Sequence, residues 1–261
     1  MAHRPDDFTK ASSSRIYDYF LGGSDNYTID REAGDNFVAA VPNARNSARA
    51  TRGYVLRAAR FLAEQGITQF LDIGAGIPTT PNVHEVVREV HPNARVIYVD
   101  NDPIAVAKGE ALRDEPGVAT VHGDLRAPSA IFEDPEVTSV LDFSQRVGIL
   151  TVAVWHFIRD DETVVRSHAE LRDRLSPGSM LALSHACTEY LSAAMVKAAE
   201  ALYRQTSNPM KARTRQEIMR LFNGFDLVEP GLVPLHEWHP REGDPYPEES
   251  PEALAGVGIR S

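Results

Sequence analysis

The sequence predicts an α/β fold in which a mostly parallel sheet is covered by helices, and three observations carry that prediction. From Gly66 onward, short apolar runs alternate with stretches of helical periodicity. The first run breaks into a tight glycine loop, Phe70-Leu71-Asp72-Ile73-Gly74-Ala75-Gly76. Twice, a capping residue followed by proline, Thr80-Pro81 and Asp102-Pro103, opens a helical pattern directly after a strand.

The elements follow in order. Ser12 or Ser13 caps a short helix that carries aromatics, and Gly22-Gly23 ends it. Arg45, Arg49, Arg52 and Arg57 form the densest basic stretch, the first three at helical spacing; they read either as a solvated face or as an anion site. The first strand is expected near Gln69 to Ile73, followed by a helix from Thr80-Pro81 whose buried face holds Val83, Val86, Val87 and Val90. The second strand spans Arg95 to Val99, and its helix runs from Asp102-Pro103 to about Leu112. A shorter strand covers Ala119 to His122. Val147 to Val154 is apolar almost without alternation, as in a central strand buried on both faces. Asp160 or Asp161 caps the next helix, Pro177-Gly178 ends it, and Met180 to Ser184 is the fifth strand. A helix from Tyr190 to Gln205 is expected, then another opened by the capping box Thr214-Arg215-Gln216-Glu217. Phe225 to Val228 and Leu232 to Trp238, linked by Pro230-Gly231, are expected to pair antiparallel at the sheet edge. Pro240 to Pro251 is proline-rich and acidic and reads as a loose tail, from which Leu254 to Ile259 could dock back on the body.

The composition, 43% hydrophobic and 25% charged over 261 residues, suits one large domain with an N-terminal extension. No apolar run approaches the roughly 20 residues that cross a bilayer, and the N-terminus has no hydrophobic signal segment. Cys187 is the only cysteine, which excludes an internal disulfide and a thiolate metal cluster; no metal site is expected, and the cytoplasm is the expected location. A formal net charge of -10 argues against a nucleic-acid partner.

Asp100 closes the second strand, and an acid there accepts hydrogen bonds from ribose hydroxyls while Gly74 and Gly76 admit a ligand close to the backbone. This pairing points to a nucleoside-bearing cofactor; the plain alternative is a structural turn. A dinucleotide site would place a third glycine where Thr79 stands, and the charge of Asp72 would repel a pyrophosphate but suits a cationic ligand such as S-adenosylmethionine, with its ammonium and sulfonium. Asp124 ends the third strand and is placed either to accept from an adenine amino group, with the Leu125 amide beside it, or to cap a turn. His156, between Trp155 and Phe157 where the fourth strand leaves the sheet, reads as a base, a polar wall of the pocket or a buried histidine. His185, Glu189 and Asp142 are further candidates to face a substrate. The Ser13-to-Tyr27 segment either forms a lid, its aromatics and Asn26 over a sulfonium, or merely anchors the extension.

On the segments Ser13 to Tyr27, Phe70 to Thr79, Tyr98 to Pro103, Gly123 to Pro128, Val154 to Asp160, Phe222 to Val233 and Leu254 to Arg260, the chain resembles a bacterial S-adenosylmethionine-dependent methyltransferase family once catalogued as a domain of unknown function. The resemblance implies the class I methyltransferase fold: a seven-stranded, mostly parallel sheet with its final strand antiparallel and an N-terminal helical cap. It divides the chain into a cap over 1–65, a core over 66–239 and the tail 240–261. It also implies a cofactor-binding set of Tyr19, Gly22, Gly23, Asn26, Arg49, Asp72, Gly74, Gly76, Asp100, Asn101, Asp124, Leu125, Trp155 and His156, with His156 as the candidate catalytic residue. Gly74 and Gly76 would lie under the methionine part, Asp100 at the ribose, Asp124 at the adenine, Arg49 at the carboxylate, and Tyr19, Gly22 and Asn26 over the top. The expected activity is methyl transfer to a small-molecule acceptor. A cofactor-binding sensor without activity and a nicotinamide-dependent oxidoreductase are the alternatives, the latter opposed by Asp72 and Thr79.

Overall fold

The computed structural model describes residues 9–261, so the first eight residues of the expected 1–65 cap lie outside the described residues. Three helices come first: α1 (Ser13–Leu21), α2 (Thr28–Ala40) and α3 (Ala44–Glu64). Ser12 caps α1 by accepting from the Arg15 N–H, and Gly22 ends it at φ 86, as the sequence predicts.

The core alternates strand and helix: β1 (Gln69–Ile73), α4 (Val83–Arg88), β2 (Arg95–Asp100), α5 (Pro103–Gly109), β3 (Val118–His122), α6 (Pro128–Phe132), α7 (Pro135–Val140), β4 (Gly148–Val152), α8 (Asp161–Asp173) and β5 (Met180–Ala186). After these come α9 (Ala193–Tyr203), α10 (Arg215–Met219), β6 (Phe225–Leu227), the two-residue β7 (Val233–Pro234) and β8 (Ala253–Arg260). The sheet order is β3-β2-β1-β4-β5-β8-β6, with β7 paired to β8. The first five strands pair in parallel, and β8 runs antiparallel between β5 and β6. Apart from the short β7, this is the expected seven-stranded class I methyltransferase sheet with its last strand reversed.

Alternation along each strand divides the core in two. Leu71, Ile73, Ile97, Val99, Ile149, Leu181 and Leu183 face the side covered by α7, α8 and α10. Phe70, Val96, Tyr98, Leu150, Val152 and Ala182 face the side covered by α3 and α4, each well-buried aliphatic or aromatic side chain contributing about 1.5–3 kcal/mol of transfer free energy. By the same period of two, Asp72 and Asp100 project on the α3 side. A third apolar cluster joins α1, α2 and α3 to α9 through Ile16, Phe20, Val41, Ala44, Ala199 and Tyr203.

Two expectations at the ends of elements are corrected, and one left open is decided. The helix after the glycine loop starts at Val83, capped by Asn82, whose N–H donates to the Glu85 carboxylate; Thr80-Pro81 precedes it as loop. The expected edge hairpin does not form: β6 and β7 each pair with β8, and Leu235–Glu237 is a single 3-10 turn. The end of the chain, read as a tail with an option to dock, supplies that strand, and Leu254, Ala255 and Val257 are fully buried in it.

Candidate functional site

A cavity of about 250 Å³ opens at the carboxyl ends of β1, β2, β3 and β4, roofed by α1, α2, α3 and α9. Its floor is the loop after β1. The Gly74 and Ala75 N–H groups both donate to the Val99 carbonyl, at 2.7 and 3.1 Å, which hooks the loop onto β2. Gly74 and Gly76 have φ of 75° and 70°, and a Cβ on Gly74 would sit 2.2 Å from the Val154 side chain. A Cβ on Gly76 would meet nothing within 4 Å, so the backbone there is open to a ligand.

Asp100 is fixed by that loop. Its carboxylate accepts from the Gly76 N–H and from the Asp102 N–H, both at 2.8 Å. Burial pushes its pKa up to about 6 against the pull of those two bonds. Asp72, opposite Tyr98 in the β1–β2 register, is pushed up to about 7: burial is the main cause, the Arg52 guanidinium opposes it, and the Asp100 charge adds to it. Two acids thus share one face with one arginine, an arrangement that favours a ligand with positive charge beside hydroxyl donors.

Farther along the wall, the Asp124 carboxylate accepts from the Arg126 N–H at 2.8 Å and from the Asn101 amide at 3.3 Å. Burial opposes its ionisation, but the Arg126 guanidinium and N–H outweigh that and hold it below the usual carboxylate range. Leu125 is buried beside it.

At the end of β4 the chain passes through Ala153 at φ 58, a left-handed conformation that costs a non-glycine residue on the order of 1 kcal/mol. It then enters a 3-10 turn, Trp155–Phe157, that delivers His156 to the cavity wall. Burial, aided by Arg213, lowers the His156 pKa to about 3, so the imidazole is neutral, and its Nδ1 is buried with no hydrogen-bond partner. The neighbouring His185 has a defined tautomer. Its Nε2 lies 3.0 Å from the Arg213 guanidinium, which only donates, so Nδ1 bears the proton and donates to the Ala186 carbonyl at 2.8 Å. Arg213, almost fully buried, also donates to the Trp155 and Ile158 carbonyls and to Asp161.

Asp72, Gly74, Gly76, Asp100, Asn101, Asp124, Leu125 and His156 therefore all line one cavity, together with His185. Five expected residues of the cap do not. Tyr19 points outward, its hydroxyl on Asp35 and its ring under Arg45. The Asn26 amide donates to Asp18 and to the Gly23 carbonyl, so Gly22, Gly23 and Asn26 build the turn after α1. Arg49 pairs with Glu248 and stacks on Tyr246 at 5.3 Å. Trp155 is also corrected: it is fully buried in the core, its indole N–H on the Thr151 hydroxyl at 3.0 Å. Of the weaker candidates, Asp142 binds its own loop at Ser144, and Glu189 accepts from the Arg215 N–H. Two residues outside the expected cofactor set also line the cavity: Tyr17, from the aromatic segment, and Arg52, from the basic stretch that offered an anion site. Tyr17 donates to the Ala48 carbonyl at 3.2 Å, and Arg52 donates to the Thr79 and Pro81 carbonyls.

A family model described as S-adenosyl methyltransferase matches residues 2–261. The chain belongs to the S-adenosyl methyltransferase family. Its cofactor is accordingly S-adenosylmethionine, and the protein is an S-adenosylmethionine-dependent methyltransferase. Two solved structures are similar over nearly their whole length. A candidate methyltransferase from Thermobifida fusca YX is 38% identical with a TM-score of 0.91, covering 98% of each chain. A DUF574 family protein from Streptomyces avermitilis MA-4680 is 38% identical with a TM-score of 0.90, covering 98% of this chain and 99% of its own. No match was found among curated proteins. Among the described residues no helix is long and apolar enough to cross a membrane.

Proposed function

We propose that this methyltransferase holds S-adenosylmethionine with Asp72 and the Gly74–Gly76 loop at the methionine end, Asp100 at the ribose, and Asn101, Asp124 and Leu125 at the adenine, and that it methylates a small molecule. The observation that carries this reading is the pair of buried acids: Asp72 and Asp100 are both held above the usual carboxylate range on one cavity face, with the open backbone of Gly76 bonded to Asp100. An ionised Asp72 compensates a cationic ligand. Asp100 keeps lone pairs free for hydroxyl donors after taking its two backbone bonds.

When bound, the cofactor supplies a methyl carbon made electrophilic by the sulfonium, so positioning can provide most of the catalysis. The role we assign to the chain is enclosure and alignment: α1, α3 and α9 exclude water, and the neutral His156 offers an uncharged polar contact to the acceptor. The roof also supports reading the N-terminal helices as the cap and the remainder as the catalytic body. The buried free thiol of Cys187 supports a reducing, cytoplasmic setting.

The test is isothermal calorimetry of Asp100→Ala with S-adenosylmethionine and NAD side by side. The variant should lose ~1–3 kcal/mol of S-adenosylmethionine binding because two hydroxyls lose a charged acceptor. Unchanged affinity in a folded variant refutes the assignment of Asp100.

A further inference from the structure

Resting on that reading of the cofactor half, we propose that the other half of the cavity takes an apolar amine, with the ammonium end recognised by Glu252 and Glu200. Away from the glycine loop the wall is apolar and aromatic. Phe20, Phe37, Phe157 and Tyr203 form a connected set, Phe37 edge-on to Tyr203 at 5.0 Å and Phe157 tilted against it at 5.6 Å. Such a wall selects a flat or bulky apolar body.

The charged side chains that line this half have one sign, and the Arg213 guanidinium behind His156 and His185 is taken up by Asp161 and the Trp155 and Ile158 carbonyls. Both arginines that line the cavity belong to the cofactor half: Arg126 is paired with Asp124, and Arg52 faces Asp72 and holds the Thr79 and Pro81 carbonyls. Glu252 and Glu200 are the remaining carboxylates in the lining, and their hydrogen bonds come from neutral donors. Glu252 accepts from the Asn43 amide at 2.9 and 3.0 Å and from the Ser47 and Ser250 hydroxyls at 3.2 and 3.0 Å. Glu200 accepts from the Ala212 N–H at 3.3 Å. The fold brings both to the end of β5. Ala186 pairs with Ala253, next to Glu252, and its carbonyl accepts from the Arg213 N–H, next to Ala212. Two carboxylates held by neutral donors around one strand end, in a chain of net charge -10, disfavour a carboxylate or phosphate ligand and leave room for a cation.

A second, independent observation is His156. It lines the same cavity with an imidazole that burial keeps neutral, and its buried Nδ1 has no hydrogen-bond partner. An anionic ligand would meet neither a free cation nor a protonated imidazole here.

The chemistry balances without a further reactant. The ammonium gives one proton to water, the amine lone pair forms the new N–C bond, and the C–S bond breaks with its electron pair passing to sulfur. The product leaves as the methylated ammonium beside S-adenosylhomocysteine.

The test uses the full chain loaded with S-adenosylhomocysteine and three probes sharing one apolar body: phenylbutylamine, phenylbutanol and phenylbutyrate. By calorimetry the amine should bind about ten-fold more tightly than the alcohol, and the carboxylate more weakly than both. Glu252→Gln should remove most of the amine's advantage while leaving phenylbutanol unchanged, with Glu200→Gln as the second variant. Phenylbutyrate binding as tightly as the amine, or an amine advantage that survives both substitutions, overturns the proposal. If S-adenosylhomocysteine itself fails to bind, the cofactor reading falls and this proposal with it; if it binds and the ranking fails, only the amine assignment falls.

Discussion

The raised pKa of Asp72 makes cofactor affinity depend on pH in a way that can be calculated. In the free protein burial holds this acid near pKa about 7, against Arg52 and with Asp100 reinforcing it. A cationic ligand beside it favours the ionised form and returns it toward an ordinary value of ~4. Binding then expels a proton wherever the free acid is protonated. With those two values the association constant rises about 25-fold from pH ~5.5 to pH ~7.5, and flattens above. Asp72→Asn removes the charge and this titration together. Calorimetry of both proteins with S-adenosylmethionine across that window should therefore show a ratio of affinities that is large at the alkaline end and closes toward the acid end. Asp100, which also titrates near the lower end of the window, remains in both proteins. A ratio that stays constant with pH, in variants that melt cooperatively, refutes the claim that Asp72 compensates the ligand's charge.

The same shift governs stability of the free protein. Because the folded-state pKa of Asp72 is raised, its stabilising contribution is present below the unfolded value and is lost as pH rises through about 7. Asp72→Asn should accordingly raise Tm at pH ~8 and lose that advantage below pH ~4, as followed by circular dichroism. Gly74→Ala places a Cβ 2.2 Å from Val154 at positive φ, so it should cost ~1–3 kcal/mol in denaturant unfolding, with partial rescue by Val154→Ala. Arg213→Met strands the Trp155 and Ile158 carbonyls and should destabilise the protein by ~3 kcal/mol or more. It also lifts the charge that helps hold His156 and His185 neutral, so their imidazole resonances should titrate at higher pH than in the native protein.

The sheet and its glycine loop were legible because each is a local matter. Strand period, turn glycines and caps such as Asp102 on the Ile104 N–H are written in a few adjacent residues. The roof was not, because it depends on which face of a helix turns inward. Once Ser12 is the cap, Ser13, Tyr17 and Phe20 follow one another at helical spacing and line the cavity, while Tyr19 falls on the other side. That spacing was the available signal for Tyr17. On α3 the inward stripe runs through Ala44, Ala48, Thr51 and Val55; Arg52 sits at its edge and turns in, and Arg49 lies further round and turns out to Glu248. β8 was obscured by Gly256 and Gly258, poor strand formers taken alone. Their need appears only in three dimensions, where a Cβ on Gly258 would lie 2.7 Å from Phe225 and one on Gly256 would crowd Phe222 and the Gly231 carbonyl.

The cap and Asp100 are joined by a buried chain of bonds. Asp102 gives its backbone N–H to Asp100 and accepts the Ser12 hydroxyl with its own carboxylate at 2.5 Å. Ser12 in turn donates its N–H to Asp30 on α2, and Asp30 pairs with Arg15 of α1 at 2.8 Å, with both side chains almost wholly buried. Lifting α1 away would take the Arg15 guanidinium from Asp30 and the Ser12 hydroxyl from Asp102, leaving these buried carboxylates with backbone N–H partners alone. Breaking a buried pair of this kind costs several kcal/mol, which ties α1 and α2 to the loop that follows β2. α9, by contrast, meets the cap through apolar contacts such as Phe37 on Tyr203, with no buried charge pair across that seam.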